Sequence, residues 1–508
     1  MSGDATPGEL TGTIRSIDPV SELPDPTSES VLYEPSFEEL REFSESLETT
    51  TEYGSPSYVS EYRSRSADRT RNAVDDAFGE DDWRLIEAAL ERAGATELVC
   101  LDRMVGRHPD HAYCCRLFVP QEYGRIALAW AKLLEPAPEG REPDFQTLQL
   151  PDWEETAIRV LPDEGVTVAL GSDYTGEAKK SFLRLFMYRA KQRGGLGLHA
   201  GTKRLTLEDD EGELSEVPQA FLGLSGTGKS TLTGHGCWLE SPESAVMLQD
   251  DVCALFPDTL AGSEGGGLYI KTIGLDAEEQ PALHHAATRP EAVLENVSVD
   301  SDGEVDFDDG SLTTNGRAVI RREDLPSAAP DIDCERADQV FFITRNPLMP
   351  PVARLTPEQA AVAFMLGESV ETSAGDPDRA GESIRVVGTN PFIVGPEGEE
   401  GNRFADLMDE TDAECFVLNT GSVGSRGIRV EDTIAILTAA ARGEIEWTHD
   451  DRLGFEVPER VPGMAIEEFR LAENHDEYGE KLAALREERR EYLAAFESLR
   501  EEIREAVY

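Results

Sequence analysis

The run Gly223-Leu224-Ser225-Gly226-Thr227-Gly228-Lys229-Ser230, followed by Thr231, has the spacing G-x-x-x-x-G-K-[ST]. That spacing suits a loop that cradles phosphate. Glycines let the backbone close around phosphate oxygens with no Cβ in the way, successive N–H groups point inward, and the positive end of the next helix adds to the field. In such a loop Lys229 reaches the β and γ phosphates, and the Ser230 hydroxyl binds the nucleotide's Mg²⁺. The flanks agree, because 217–224 is apolar and strand-like and a helix can open at Ser230. The loop implies a nucleoside triphosphate and a metal, but names no reaction.

Other residues with chemical potential lie on both sides. The apolar run 245–248 leads into Gln249-Asp250-Asp251. Two carboxylates at the end of a strand offer the hard oxygens that Mg²⁺ and Mn²⁺ prefer. Upstream stand Tyr174-Thr-Gly-Glu-Ala-Lys179-Lys180 and His199. Downstream come Glu264-Gly-Gly-Gly-Leu-Tyr-Ile-Lys271, Glu295-Asn-Val, Asp306-Phe-Asp-Asp-Gly-Ser311, Arg317 and Pro350-Pro-Val-Ala-Arg354-Leu-Thr. Taken singly, each has an ordinary reading as an acidic turn, a core histidine or a surface arginine. Lysine usage tilts the balance. The chain has eight lysines, and Lys179, Lys180, Lys229 and Lys271 are four of them. A compact ammonium of tunable pKa is what arginine cannot supply, so a Lys-Lys pair here reads as chemistry.

The elements that must position these residues form an α/β pattern. The stretch 1–30 is rich in Pro, Ser, Asp and Glu and reads as an acidic, flexible segment. A substrate-side α/β domain is expected over 31–205, with a helix at 82–93 and strands at 97–101, 115–119 and 166–170. The polar run 206–216 reads as a turn into the strand before the phosphate loop. The nucleotide- and metal-binding domain is expected over 206–460, with strands at 339–344 and 415–419 and a helix at 432–442 stopped by Gly443. A helical segment, 461–508, is expected to pack on that domain, its apolar positions running through 481–507. The active site then lies in the cleft between the two α/β domains.

Composition sets the surroundings. Lys+Arg is 47 against Asp+Glu 101, a formal net charge of −54. Such a chain repels nucleic acid and anionic membrane. Because 39% of the residues are apolar and fall in periodic runs, disorder is excluded and a folded protein in concentrated salt is implied. The seven cysteines are odd in number and show no C-x-x-C spacing, so neither a zinc ribbon nor a disulfide framework follows. No apolar run approaches 18 residues, and the N-terminus lacks a basic-then-apolar leader. A soluble cytoplasmic protein is expected, a monomer, with homo-oligomers left open.

The order of the motifs resembles the ATP-dependent phosphoenolpyruvate carboxykinase family. The collinear signatures are Y-x-G-E-x-K-K, L-H, G-L-S-G-T-G-K-[ST]-T-L, D-D, E-G-G…K-T-I, L-E-N-V, D-F-D-D-G-S, P-P-V-x-R-L-T, L-N-T-G and a D-T before a helix. They span about 174–442, with a looser likeness over 97–153. With its charge, the chain is similar to what a halophilic archaeal member would be. The resemblance implies oxaloacetate and ATP giving phosphoenolpyruvate, ADP and CO₂ in gluconeogenesis. It implies Lys180, His199 and Asp251 as Mn²⁺ ligands, Asp250 in the second metal's water shell, and Ser230 on Mg²⁺. Arg65, Tyr174, Lys180 and Arg317 would meet substrate, and Lys180, Lys229, Asp250, Asp251 and Arg317 would carry the chemistry. ATP would meet residues 223–231 with Lys179, His199, Gln280, Arg317, Arg426 and Thr433. The chain departs from the family pattern at Gln280 (usually Glu), at 344–349 (shorter), at Ser425-Arg426-Gly427 (usually G-K-R) and over 373–403. A kinase of related fold acting on another acceptor, or a nucleotide-binding regulator without turnover, is the alternative. Both leave a Lys/His/Asp cage unexplained.

Overall fold

Two eight-stranded sheets hold the two halves of the chain. The computed structural model describes residues 18–62, 67–75, 78–224, 226–370, 383–470 and 477–508. The first sheet runs in the order Val31–Tyr33, Leu98–Val105, Tyr113–Pro120, Phe145–Leu150, Val166–Leu170, Ala157–Leu161 and Thr70–Asn72, with Glu135–Pro136 paired to the second of these. Side chains alternate between faces along a strand. Val99 and Leu101 therefore enter one core, under helices Gly124–Leu133 and Thr175–Gln192. Leu98 and Cys100 enter another, under helix Glu80–Ala93. Burial on both faces explains why these strands read as near-continuous apolar runs.

The second sheet runs in the order Ser244–Gln249, Ala200–Glu208, Leu214–Leu222, Gln339–Thr344, Glu414–Asn419, Val352–Leu355, Phe455–Arg460 and Glu446–Asp450. Leu214–Leu222, Gln339–Thr344 and Glu414–Asn419 are parallel neighbours. The loops after all three therefore emerge at one edge, which is where open α/β sheets bind ligands. Helices Pro357–Leu366 and Glu397–Thr411 cover one face. Helix Val430–Ala441 covers the other, and Gly443 follows it at φ +67°. The expected helix at 481–507 is two helices, Tyr478–Ala494 and Glu501–Glu505. Both pack on this domain through Leu482, Leu485, Leu493 and Ile503.

Two boundaries differ from the sequence reading. The turn expected over 206–216 spans only 209–213, because Ala200–Glu208 is itself a strand of the second sheet, antiparallel to Leu214–Leu222. A division at 205/206 thus falls inside that strand. A third sheet joins Gly267–Lys271, Arg317–Arg321 and Val293–Glu295 to Pro56–Tyr58 and Glu48–Thr50. Its pairing of Leu294 with Ser57 and Glu295 with Tyr58 carries N-terminal chain into the neighbourhood of the downstream motifs. Non-local pairing of this kind leaves no local signal. All seven cysteines are unpaired. Among the described residues, no helix is long and apolar enough to cross a membrane.

Candidate active site

The phosphate loop begins where the strand Leu214–Leu222 ends. A Cβ on Gly223 would lie 2.6 Å from Thr227 Oγ1, so only glycine lets the loop fold back there. Gly226 and Gly228 have φ of +82° and +97°, the left-handed region that L side chains avoid. Thr227 closes the turn, its N–H and Oγ1 both donating to the Leu224 carbonyl at 3.2 and 2.7 Å. The short helix Lys229–Gly234 follows. Its last carbonyls are tied by the fully buried Lys203, whose Nζ donates to Leu232 O and His235 O at 2.6 Å each. Ser230 and Thr231 are exposed at the opposite end. Among the described residues, Lys229 Nζ is buried with no hydrogen-bond partner. Burial pushes its pKa below the usual lysine range, against the pull of Asp251 and Asp250. Ser225 and Arg65 lie outside the described residues.

Beside the loop, one ammonium is shared by two carboxylates. Lys179 Nζ lies 2.7 Å from Asp251 Oδ2 and 3.0 Å from Glu264 Oε2. Lys179 and Glu264 are buried, whereas Asp251 keeps 30% of its side chain exposed. Gln249 builds the turn that presents Glu264: its Oε1 accepts from the N–H groups of Ser263 and Glu264, and its Nε2 donates to Glu264 O. Burial alone would lower the Lys179 pKa, but Asp251 and Glu264 outweigh it and raise the value. Burial would raise Asp251, but Lys179 and His199 hold it well below the usual carboxylate range. Glu264 bears the penalty, since burial lifts it to about 7 even beside Lys179.

His199 completes this group. Its Nε2 faces Asp251 Oδ1 at 3.0 Å, and its Nδ1 sits 2.5 Å from the Thr389 carbonyl. With Nδ1–H donated to that carbonyl, Nε2–H donates to Asp251, and loss of the Nε2 proton would free that lone pair for a metal. The spacing fits: adjacent ligands of an octahedral ion at about 2.1 Å are separated by about 3.0 Å. Lys180, expected as the third ligand, meets a different carboxylate. Its Nζ lies 3.4 Å from Glu177 Oε1 and 5.4 Å from the Tyr174 ring centre. Adjacent helical residues project about 100° apart, and here Lys179 and Lys180 meet different carboxylates. Among the described residues, no three His, Cys, Asp or Glu side chains cluster as a metal site by themselves. A third donor here must therefore come from another residue type or from a ligand.

A wall of tyrosine and arginine faces the cluster. Asn315 donates to Tyr174 Oη at 3.2 Å and accepts from Arg317 Nη2 at 3.0 Å. The Arg317 guanidinium lies 5.3 Å from the Tyr269 ring centre, and Tyr269 Oη donates to Glu295. Glu295 Oε1 also accepts from the Thr175 N–H at 2.9 Å and from Arg125 at 3.3 Å. Arg125 in turn reaches Asp173 at 2.7 Å, and that carboxylate accepts the N–H groups of Glu61 and Tyr62 at 2.9 Å each. The N-terminal chain is thereby pinned beside Tyr174, three residues before Arg65. Sequence reasoning assigned no role to Arg125, Asp173, Glu264 or Glu295. The signal for Glu264 and Glu295 was their place in the E-G-G and L-E-N-V runs.

Three expected nucleotide residues stand apart. Gln280 precedes helix Pro281–Ala287, and its amide donates to Gly274 O at 3.4 Å. Thr433 is buried, its hydroxyl on Arg429 O at 3.2 Å. Arg426 is exposed, paired with Glu468 and 5.6 Å from the Phe469 ring centre. Among the described residues, none of the three bonds to the phosphate loop.

A glycine-built phosphate loop at the carboxyl edge of parallel strands, set against a His–Asp–Lys cluster and an arginine-bearing wall, is the arrangement expected of a nucleotide-dependent phosphoryl-transfer enzyme. The family model for phosphoenolpyruvate carboxykinase of the ATP type matches residues 31–467, and the chain belongs to that family. The phosphoenolpyruvate carboxykinase (ATP) of Aeropyrum pernix is 36% identical over 457 residues, covering 88% of this chain and 91% of its own length. That of Rhizobium rhizogenes is 31% identical over 382 residues, covering 70% and 68%.

Proposed function

We propose that the chain converts oxaloacetate and ATP to phosphoenolpyruvate, ADP and CO₂. The observation that carries this reading is the His199–Asp251 pair, 3.0 Å apart and beside Lys179, within electrostatic reach of the phosphate-loop lysine. Lys229 and the loop N–H groups hold the triphosphate, with the Ser230 hydroxyl and Asp250 on the Mg²⁺ side. His199 and Asp251 would hold Mn²⁺, with Lys180, as the neutral amine, the third residue that would ligate it. Tyr174, Arg317 and Arg65 orient the oxaloacetate carboxylates, where a planar fork binds two oxygens at once. Lys179, Gln280, Arg426 and Thr433 belong to the nucleotide side. Loss of CO₂ leaves an enolate, whose oxygen attacks the γ-phosphoryl group as ADP departs. When bound, the two metals supply Lewis acidity to the oxygens on which charge develops. The residues contribute preorganised positive charge at the same oxygens.

The charge of −54 fits a salt-rich cytoplasm, where the chain works as a monomer. The test is an incubation with oxaloacetate, ATP and Mn²⁺ in molar KCl, followed for phosphoenolpyruvate. We expect product that diminishes as salt is removed. Folded protein that makes none at any salt concentration refutes the reading.

A further inference from the structure

The L-N-T-G run and the shortened segment after Thr344 have no role in the account so far, yet both reach the phosphate loop. Thr420 Oγ1 donates to the Thr227 carbonyl at 2.7 Å. Arg345 Nη1 donates to the Gly226 carbonyl at 3.0 Å. These two residues follow the strands Glu414–Asn419 and Gln339–Thr344; the latter lies parallel beside the strand that delivers the loop, and the former lies parallel beside the latter. Their loops are locked together. The Thr420 N–H donates to Thr344 O at 2.9 Å, and a Cβ on Gly421 would lie 3.0–3.1 Å from Arg345 Cβ, Cα and O. Buried Asn419 ties the base of both loops, its amide donating to Asn346 O, Met349 O and Ser422 O at 2.9–3.0 Å.

A trans peptide points its C=O and the following N–H in opposite directions. With the Thr227 carbonyl drawn outward to Thr420, the Gly228 N–H faces the concave side of the loop, where phosphate oxygens would lie. At Gly226 and Gly228, both at positive φ, glycine allows the peptide planes to turn either way at little cost. Among the described residues of the loop, no hydrogen bond from within it reaches the Thr227 carbonyl. We infer that Thr420 and Arg345 are positioning residues, which hold two successive carbonyls outward so that the loop is set for phosphate before the nucleotide arrives. The inference rests on the nucleotide-binding reading above and extends it to residues outside the loop.

The experiment measures MgATP and MgADP affinity, Mn²⁺ affinity without nucleotide, and the KM and kcat of turnover. The variants are Thr420→Val, Thr420→Ser, Arg345→Gln and, as control, Lys229→Ala. Thr420→Val keeps the shape and removes the donor. We expect a three- to tenfold weaker nucleotide affinity, about 0.6–1.4 kcal/mol, with KM for ATP raised alike and KM for oxaloacetate and Mn²⁺ affinity unchanged. Thr420→Ser should return affinity to within twofold of wild type. Arg345→Gln should weaken it less than Thr420→Val, and it keeps the inference testable if Thr420→Val does not fold. If the wild-type chain binds no nucleotide, the underlying reading falls. If wild type binds, Lys229→Ala does not, and Thr420→Val with Arg345→Gln bind as wild type, the positioning inference alone is overturned. Equal weakening in Thr420→Ser and Thr420→Val also overturns it, since the hydroxyl would then not matter.

Discussion

Lys229 is held for its ligand at the expense of the fold that holds it. Its ammonium nitrogen is buried without a hydrogen-bond partner among the described residues, and burial outweighs the attraction of Asp251 and Asp250. A buried polar group left unsatisfied costs about 1–3 kcal/mol, more when charged. Lys229→Met removes that group and nearly conserves volume, so the nucleotide-free protein should become more stable by about that amount. The entropy of unfolding is about 2.1 cal/mol/K per residue. For 508 residues it is about 1.1 kcal/mol/K, and the expected rise in Tm is about 1–3 °C. Saturating MgATP should reverse the order. At a thousand times Kd, binding stabilises wild type by about 4.1 kcal/mol, more than the variant gains, because the variant lacks the charge that grips the phosphates. Differential scanning calorimetry of both proteins, with and without MgATP, reads the crossing. A Lys229→Met protein that melts below wild type without nucleotide, or that gains as much from MgATP, would refute the reasoning.

Two further substitutions probe other layers of the molecule. Asp251→Asn should weaken Mn²⁺ binding in the absence of nucleotide by more than tenfold, while Lys229→Met leaves it within twofold, read by titration with the Mn²⁺ electron paramagnetic signal. Equal losses would show that the ligands are wrongly assigned. Away from the site, buried Glu368 accepts hydrogen bonds from Arg489, Arg385 and Asn346. Burial would raise its pKa, but Arg489 and Arg385 bring it from 4.5 to about 2, which corresponds to about 3 kcal/mol. A carboxylate with a depressed folded pKa contributes fully above its unfolded value, and the contribution is lost as pH falls from about 4.5 through about 2. Glu368→Gln should therefore lower Tm by about 3 °C at pH 7, with the gap narrowing below pH 4.5. A gap unchanged from pH 7 to pH 3.5 would contradict this account.

Whatever depended on local pattern was legible in the sequence. The strands Val166–Leu170 and Gln339–Thr344 fall where the apolar runs put them. The phosphate loop follows its strand with glycines at the positions of positive φ, because that conformation is a property of the residues themselves. What needed the fold was partner choice. Two adjacent lysines in a motif are equivalent on paper. On the helix Thr175–Gln192 one points at Asp251 and Glu264, and the other at Glu177. The chain of contacts from Glu61 through Asp173, Arg125 and Glu295 joins four distant segments, and no periodicity encodes it. The same holds for Thr420, whose target lies 193 residues earlier.

The lysine distribution now has a physical reason. Surface charges are screened by salt within about 10 Å even at 0.1 M, so the field of a surface carrying −54 is weakened at the site and the pocket must largely balance its own charges. Around it stand Glu177, Asp250, Asp251 and Glu264 against Lys179, Lys180, Lys229 and Arg317. Each of the first two lysines is paired with a carboxylate, and Lys229 is electrostatically coupled to Asp251 and Asp250. A pocket already near neutral cannot take up a triphosphate and a dicarboxylate on side-chain charge alone. Cations must enter with them, and the carboxylates that keep the empty pocket neutral are the groups that can hold those cations. Asp251 meets that demand best. Lys179 and His199 hold it well below the usual carboxylate range, it keeps 30% of its side chain exposed, and it stands 3.0 Å from an imidazole nitrogen.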